Sequence, residues 1–306
     1  MEILQYTFDD LTSVTQFYNH LTADVPHCYP VKEEELAGVL SGVTGQTDNV
    51  HEELHSQMAF VAKKNGTIQA FIHAAMYEDE NENNEKENVG IIRFFGYKRG
   101  ERLAGQTVLE KAESYLKAYN VSDILAFSKI YKYRFYHFEY AHLSNALDHV
   151  QALLGLNGYE RGNGQIFLDW ENFSVTPTPT SLPVTVAVEW REGRGKLPNC
   201  NITAHKDGEE VGVCWSVSCG EFSSYPDVQD WVYTDWLGVE DDFQGQGLGK
   251  YLLQYSLQEM HKVGYRHAAL STHSDNQLAL LFYSNFGYKV VDWTYSFQKK
   301  LSEGTK

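Results

Sequence analysis

Along residues 183–306 apolar and polar positions alternate with the period of a strand in several places and switch to the period of a helix in two. Val184–Trp190 alternates as a half-buried strand, and Asn201–His205 and Val211–Ser218 flank the turn Lys206-Asp207-Gly208 as a hairpin. Trp231–Val239 predicts a further strand. The stripes Leu248/Leu252/Tyr255 and Leu253/Leu257/Met260 then give a helix over about 248–262 a broad apolar face, with Gly264 as its stop. Ala268–Thr272 reads as a short buried strand, Asp275–Asn285 as a second helix stopped at Gly287, and Val290–Leu301 as a closing strand.

The first part of the chain repeats this order. An opening strand precedes helices near Asp10–His20 and Lys32–Leu40, and a hairpin spans Ala59–Met76 around Lys64-Asn65-Gly66. Val89–Phe95 predicts a strand, Leu103–Tyr119 a helix, Ile124–Phe127 a strand, His149–Leu156 a helix and Gln165–Trp170 a final strand. Between the two parts lies Phe173–Pro183, FSVTPTPTSLP, where each proline fixes φ and removes a backbone donor. The pattern predicts two α/β domains, 1–172 and 183–306, joined by a Thr/Pro linker at 173–182.

The length of 306 residues, about twice a domain of roughly 150, agrees with two domains. The net charge of −16, from 25 basic and 41 acidic residues, argues against a nucleic-acid partner, which needs a clustered basic face. Part of the acidic excess is the run Glu78–Asn88, expected as a solvated loop. Neither a signal peptide nor a membrane-spanning run is evident, so the expectation is a cytoplasmic protein without a membrane partner. Cys28, Cys200, Cys214 and Cys219 lack metal-ligand spacing, and His51 and His55, four apart, are read as a surface helix, so no metal is expected. The aromatic run Tyr131–His142 is read as packing.

The segment with the most specific chemistry is Gln244-Gly245-Gln246-Gly247-Leu248-Gly249-Lys250, where a strand runs into a glycine loop that opens a helix. Unpaired N–H groups and the positive end of the helix dipole suit a diphosphate there, and glycines let backbone approach it without a Cβ in the way. A dinucleotide fingerprint would stand on the first strand of a parallel unit, and a P-loop would follow Gly249-Lys250 with Ser or Thr rather than Tyr251. Both nucleotide readings fail.

Gln244-x-x-Gly247-x-Gly249 resembles the Arg/Gln-x-x-Gly-x-Gly/Ala loop of the GNAT superfamily of acyl-CoA-dependent N-acetyltransferases. A second match, Asn276-Gln-Leu-Ala279-Leu-Leu-Phe282-Tyr283-Ser-Asn-Phe286-Gly287-Tyr288, follows at the expected distance. The resemblance is detailed over about 231–300 and topological elsewhere. It implies tandem GNAT-like domains of the α+β kind, each with a mixed, mostly antiparallel central sheet flanked by helices. It further implies acetyl-CoA as donor and direct attack by an amine, most simply a primary amine on a small molecule. Backbone at Leu237, Gly238 and Val239 would hold the pantetheine arm, and Gln244 through Lys250 the diphosphate. Asn276 and Phe282 would complete the cofactor set. Tyr283 would give a proton to the departing thiolate.

Many members of that family take the amine proton with a carboxylate on the strand before the loop. Asp235 is the candidate base here, placed by alternation on one face with Leu237 and Val239. Glu221, in a loop, is a further acid able to approach a substrate, whereas Glu240, Asp241 and Asp242 are read as surface. In the first domain Leu103 falls where Gly247 stands and no clear Asn…Phe-Tyr motif follows, so that domain is expected to be degenerate and catalytically silent. Two rival functions fit the same motifs: a non-catalytic acyl-CoA-binding regulatory module, and a peptide or protein N-acetyltransferase. The connection Arg191–Cys200 is too short for the pair of helices usual in the family at that point.

Overall fold

In a computed structural model that describes residues 1–44, 54–80 and 84–301, the chain divides into two units. One comprises Met1–Gln165 with Asp292–Lys306, the other Ile166–Val291. The division does not follow the Thr/Pro segment alone. Residues 166–172 belong to the second unit, and residues from 292 onward, placed by sequence in the second domain, belong to the first.

The first unit opens with β1 (Glu2–Gln5), α1 (Leu11–Leu21) and α2 (Glu33–Thr44). A three-stranded meander follows, of β2 (His55–Lys64), β3 (Thr67–Glu80) and β4 (Lys86–Tyr97). Then come α3 (Arg102–Lys117), β5 (Asp123–Ala126), the two-residue β6 (Leu143–Ser144), α4 (Asp148–Leu156) and β7 (Glu160–Trp170). Strands β1 to β4 pair antiparallel in sequence order, and β4 pairs parallel with β5 over Gly90–Ile92. The C-terminal strand closes this sheet, with Phe297 opposite Ala126 and Lys300 opposite Asp123.

Two expectations need correction here. His55 starts β2 and is not helical, while His51 lies outside the described residues. The acidic run is not a free loop, because β3 and β4 pair out to Glu80 opposite Lys86, and Lys86 bonds Glu78 at 3.0 Å. The aromatic run is core, as read: Tyr133, Phe135, Tyr136 and Phe138 are buried, and Tyr133 stacks on Phe94 at 5.5 Å.

The second unit holds β8 (Thr185–Arg191), β9 (Asn199–Lys206), β10 (Glu209–Ser218), β11 (Trp231–Val239), α5 (Leu248–Val263), β12 (His267–His273) and α6 (Gln277–Ser284). The chain ends with β13 (Lys289–Lys300), which is divided between the units at 291/292, as β7 is at 165/166. β8 to β11 pair antiparallel in order, and β11 pairs parallel with β12. Both stripes of α5 lie against this sheet: Leu248, Leu252, Leu253, Leu257 and Met260 are buried with Cys200, Ile202, Cys214 and Val232. Ile166, Leu168 and Phe173 complete that core. The four cysteines are buried and free. No helix among the described residues is long and apolar enough to cross a membrane.

Candidate active site

β11 and β12 run together only at their start. Trp231, Val232 and Tyr233 face His267, Ala268 and Ala269, and from Thr234 onward β11 has no further register partner on β12. The strands diverge, leaving a wedge whose β11 edge carries the backbone groups of Asp235–Val239. Backbone N–H and C=O at such an edge need partners, so the edge suits an extended polar chain. Leu237, Gly238 and Val239, expected to hold pantetheine, stand on it and pair on the other side with Cys214, Val213 and Gly212.

A bulge explains the divergence. Trp215 faces Trp236 while the next residue, Ser216, faces Thr234, so Asp235 is an extra residue on β11. This corrects the alternation expected for Asp235. Leu237 and Val239 pack toward the α5 side with the core, whereas Asp235 is exposed and electrostatically coupled to Tyr233, which belongs to the other face. A one-residue insertion moves every later side chain to the opposite face. Tyr233 is itself fixed by a 2.7 Å bond between its hydroxyl and that of Ser271 on β12.

The loop after β11 is a turn of 3₁₀ helix at Asp241–Phe243 followed by the glycines. Gln244 turns its side chain inward to this turn, donating from Nε2 to the Val239 carbonyl at 2.9 Å and to Asp241 Oδ1 at 2.8 Å. Gly247 caps α5 in the left-handed region, with φ +83°, and a Cβ there would project into open space over the helix N-terminus. Lys250 and Phe282 line one cleft of about 430 Å³, together with Trp170, Val175, Gln254 and Asn285. A second cleft, of about 560 Å³ beside Asp227, Asp230 and His267, contains none of the expected residues.

α6 brings up the second motif. Asn276 is the N-cap rather than a helical residue, and its Oδ1 accepts from Ala279 N at 3.0 Å, leaving its amide N–H groups to donate elsewhere. Phe282, Tyr283 and Phe286 pack against the core of the unit. Burial holds the Tyr283 hydroxyl well above the usual phenol range, and the nearby Cys214 thiol adds to the effect. Cys214 lies opposite Leu237, and burial pushes its own thiol up to about 12. Tyr283 packs on the core of the second unit with its ring 5.2 Å from Phe282 and 5.8 Å from Tyr288, on the side where Cys214 is buried, while Asp235 is exposed at the bulge. Ser216 and Ser256, whose hydroxyls meet at 2.8 Å, complete a polar group around Cys214 that single small residues in the sequence did not announce.

Glu221 has a structural bond set. Its Oε1 accepts from Arg194 N and Asn199 Nδ2, which fastens the short connection from β8 to β9. Glu240, Asp241 and Asp242 are exposed, as read. No group of three or more metal-ligating side chains occurs among the described residues.

Residues 167–288 match the model of the acetyltransferase (GNAT) family. A mycothiol acetyltransferase of Sanguibacter keddieii is 32% identical over 112 residues, 36% of this chain and 33% of that protein, so the chain matches about a third of that relative's length. Among solved structures, a tandem GNAT protein from the clavulanic acid biosynthesis pathway superposes with a TM-score of 0.67 at 12% identity, over 98% of each chain. A GCN5-related N-acetyltransferase from Sphaerobacter thermophilus gives 0.59 at 13% identity, over 100% of this chain and 97% of that one. The sequence match covers the second unit, and the structural likeness extends the tandem GNAT fold to the whole chain.

Proposed function

From a chain that carries a GNAT acetyltransferase domain over residues 167–288, we infer an N-acetyltransferase that uses acetyl-CoA and a primary amine of a small molecule. The observation that carries this reading is the end of pairing between β11 and β12 after Tyr233, which leaves the β11 edge free ahead of the left-handed Gly247 at the N-terminus of α5.

In this reading the backbone of Leu237–Val239 pairs with the pantetheine amides, and the N-terminus of α5 holds the diphosphate through Gln246–Gly249. Lys250 lends a positive charge, and Asn276 donates from its free amide N–H groups. Asp235, on the outer face at the bulge, takes the proton of the attacking amine directly or through water. The nitrogen bonds to the carbonyl carbon, the C–S bond breaks, and Tyr283 gives its proton to the sulfur. A phenol with so high a pKa is a poor donor to a thiolate in water. The desolvation that disfavours the phenolate disfavours a thiolate leaving beside it as well, which makes that thiolate a stronger base than in solution. Acid and base on opposite faces keep the two proton transfers apart.

We assign this chemistry to the second unit. In the first, Glu101 holds the N-cap position of α3 that Gly247 holds in α5, so the equivalence of Leu103 with Gly247 expected from sequence is two residues out: Leu103, 69% exposed, lies inside the first turn of the helix. There β4 also leaves β5 after Ile92, but Phe127, Tyr133 and Tyr136 pack against Phe94 at that point, and Arg93 donates to the Tyr131 carbonyl. Glu101 is ion-paired with Lys64 at 2.7 Å, so what opposes an acyl-CoA here is the aromatic packing at the divergence and the loss of the left-handed glycine cap.

Calorimetric titration with acetyl-CoA tests the reading. One site per chain, with acetylated product formed from a panel of small amines, is the expected result. Binding without turnover on any amine or peptide would make the protein an acyl-CoA-binding module instead.

A further inference from the structure

This inference rests on the acetyltransferase reading and concerns the acceptor. The connection between β8 and β9, residues 192–198, contains no helix to lay over the sheet of the second unit. Cys214 and Ser216 point toward α5, so Trp215 between them points to the opposite face. Its direct cross-strand partner there is Trp236. Both indoles are solvent-exposed, at 40% and 57% of their full area. Trp236 lies back along its own strand, its Nε1 2.8 Å from where a Cβ on Gly238 would be, so glycine at 238 is what lets the ring lie flat. Next to this pair stands Asp235, the bulged residue at the mouth of the wedge.

Two adjacent exposed indoles on one sheet face form a contiguous apolar platform of a shape that suits an aromatic ligand. The charge around it is uneven. Across the sheet the row continues through Asn201 to Glu189, and Arg191 stands two residues along on that same face, so the β8 edge offers no net negative charge. The negative charge of the platform is at Asp235. One carboxylate beside two aromatic rings complements a molecule with one cation and an apolar body, rather than one with two separated cations. Directly opposed Cβ atoms are about 5 Å apart, so one aromatic ring covers both indoles. The Trp236 indole runs toward Gly238, away from Asp235, so a ring over the indoles lies about two strand residues, roughly 7 Å, from that carboxylate, a gap that a short alkyl tether and the Asp235 side chain span together.

We propose that Trp215, Trp236 and Asp235 form the acceptor site, and that the acceptor is an arylalkyl primary amine whose ring lies on the indoles and whose nitrogen meets Asp235. The site fixes the amine on the outer face of β11, where Asp235 pairs with the ammonium; one proton leaves to solvent to give the neutral amine, and Asp235 takes the second as the nitrogen attacks across the bulge.

The test is equilibrium binding to the full-length protein loaded with CoA, so that no turnover occurs. The probe is 2-phenylethylamine, with 3-phenylpropionate and putrescine as comparators. The expected result is saturable binding of 2-phenylethylamine, weakened about tenfold by Trp236→Ala and by Trp215→Ala and largely kept by Trp236→Phe. 3-Phenylpropionate and putrescine should bind at least tenfold more weakly. Unchanged affinity in both alanine variants, equal binding of the carboxylate, or tighter binding of putrescine would each overturn the proposal. Titration of the same variants with CoA checks that the domain is folded and reports separately on the acetyltransferase reading. CoA binding without amine binding sinks this inference alone, whereas amine binding without CoA binding sinks the enzyme reading.

Discussion

Tyr283 and Lys132 show how burial sets chemistry at single residues. Tyr283 keeps its proton through the neutral and alkaline range because burial disfavours the phenolate. Its replacement by Phe is expected to lower kcat at least about a hundredfold while leaving the acetyl-CoA Kd within about twofold, as single-turnover kinetics and calorimetry would report. In the wild type, the kcat profile should show no decline attributable to this group up to about pH 10. An unchanged kcat in the Phe variant would remove the acid role. Lys132 is buried in the first unit, donates to the Ala141 carbonyl at 3.2 Å, and has its amine lowered to about 7 by desolvation. Its folded pKa is below the unfolded value of 10.5, so between about pH 7 and 10.5 the unfolded chain binds the extra proton and stability rises with pH. Lys132→Met should remove that slope, about 1 kcal/mol per pH unit, and stabilise the protein at neutral pH; denaturant unfolding at several pH values measures it.

The glycine loop acts as an element, through backbone shape rather than side-chain chemistry. Gly247 holds φ +83° and faces open space, so Gly247→Leu introduces left-handed strain of about 1–2 kcal/mol and puts a side chain over the helix N-terminus. Thermal unfolding should fall by a few degrees, and the heat of acetyl-CoA binding should vanish. Retained binding would move the diphosphate away from α5. The bulge at Asp235 is the second such element. It lets β11 leave β12 and turns the outer face toward the acceptor, and no composition or spacing in Thr234-Asp235-Trp236 distinguishes it from a regular strand. That is why the alternation placed Asp235 on the wrong face while the boundaries Trp231–Val239 agree with the observed strand.

At the scale of the molecule, the two units do not coincide with two stretches of sequence. A chain of residues 183–306 alone lacks Ile166, Leu168 and Phe173, all buried in the second core, and carries residues 292–300, whose partners are β5 and β6 of the first unit. Asp292 also accepts from His137 at 2.8 Å inside that first unit. Such a fragment should aggregate or unfold without cooperativity, whereas the full chain melts as a folded protein; differential scanning calorimetry of both distinguishes them. A fragment with a sharp transition and intact acetyl-CoA binding would show that the exchanged strands are dispensable.

Local signals account for what the sequence by itself determined. The periods of β8 to β12 and of α5, the glycine stop at 264 and the loop Gln244–Lys250 are properties of neighbouring residues, and short-range sterics and amphipathicity fix them. The pairing of the two motifs was legible because each lies within a few residues of its own element. Tertiary structure decided the rest. Which strand closes which sheet, the bulge that separates Asp235 from Leu237, the capping role of Asn276 and the bonds that occupy Glu221 depend on partners far along the chain. The exposure of Trp215 and Trp236 belongs here too, because a strand's alternation says that two residues share a face but not whether anything covers it.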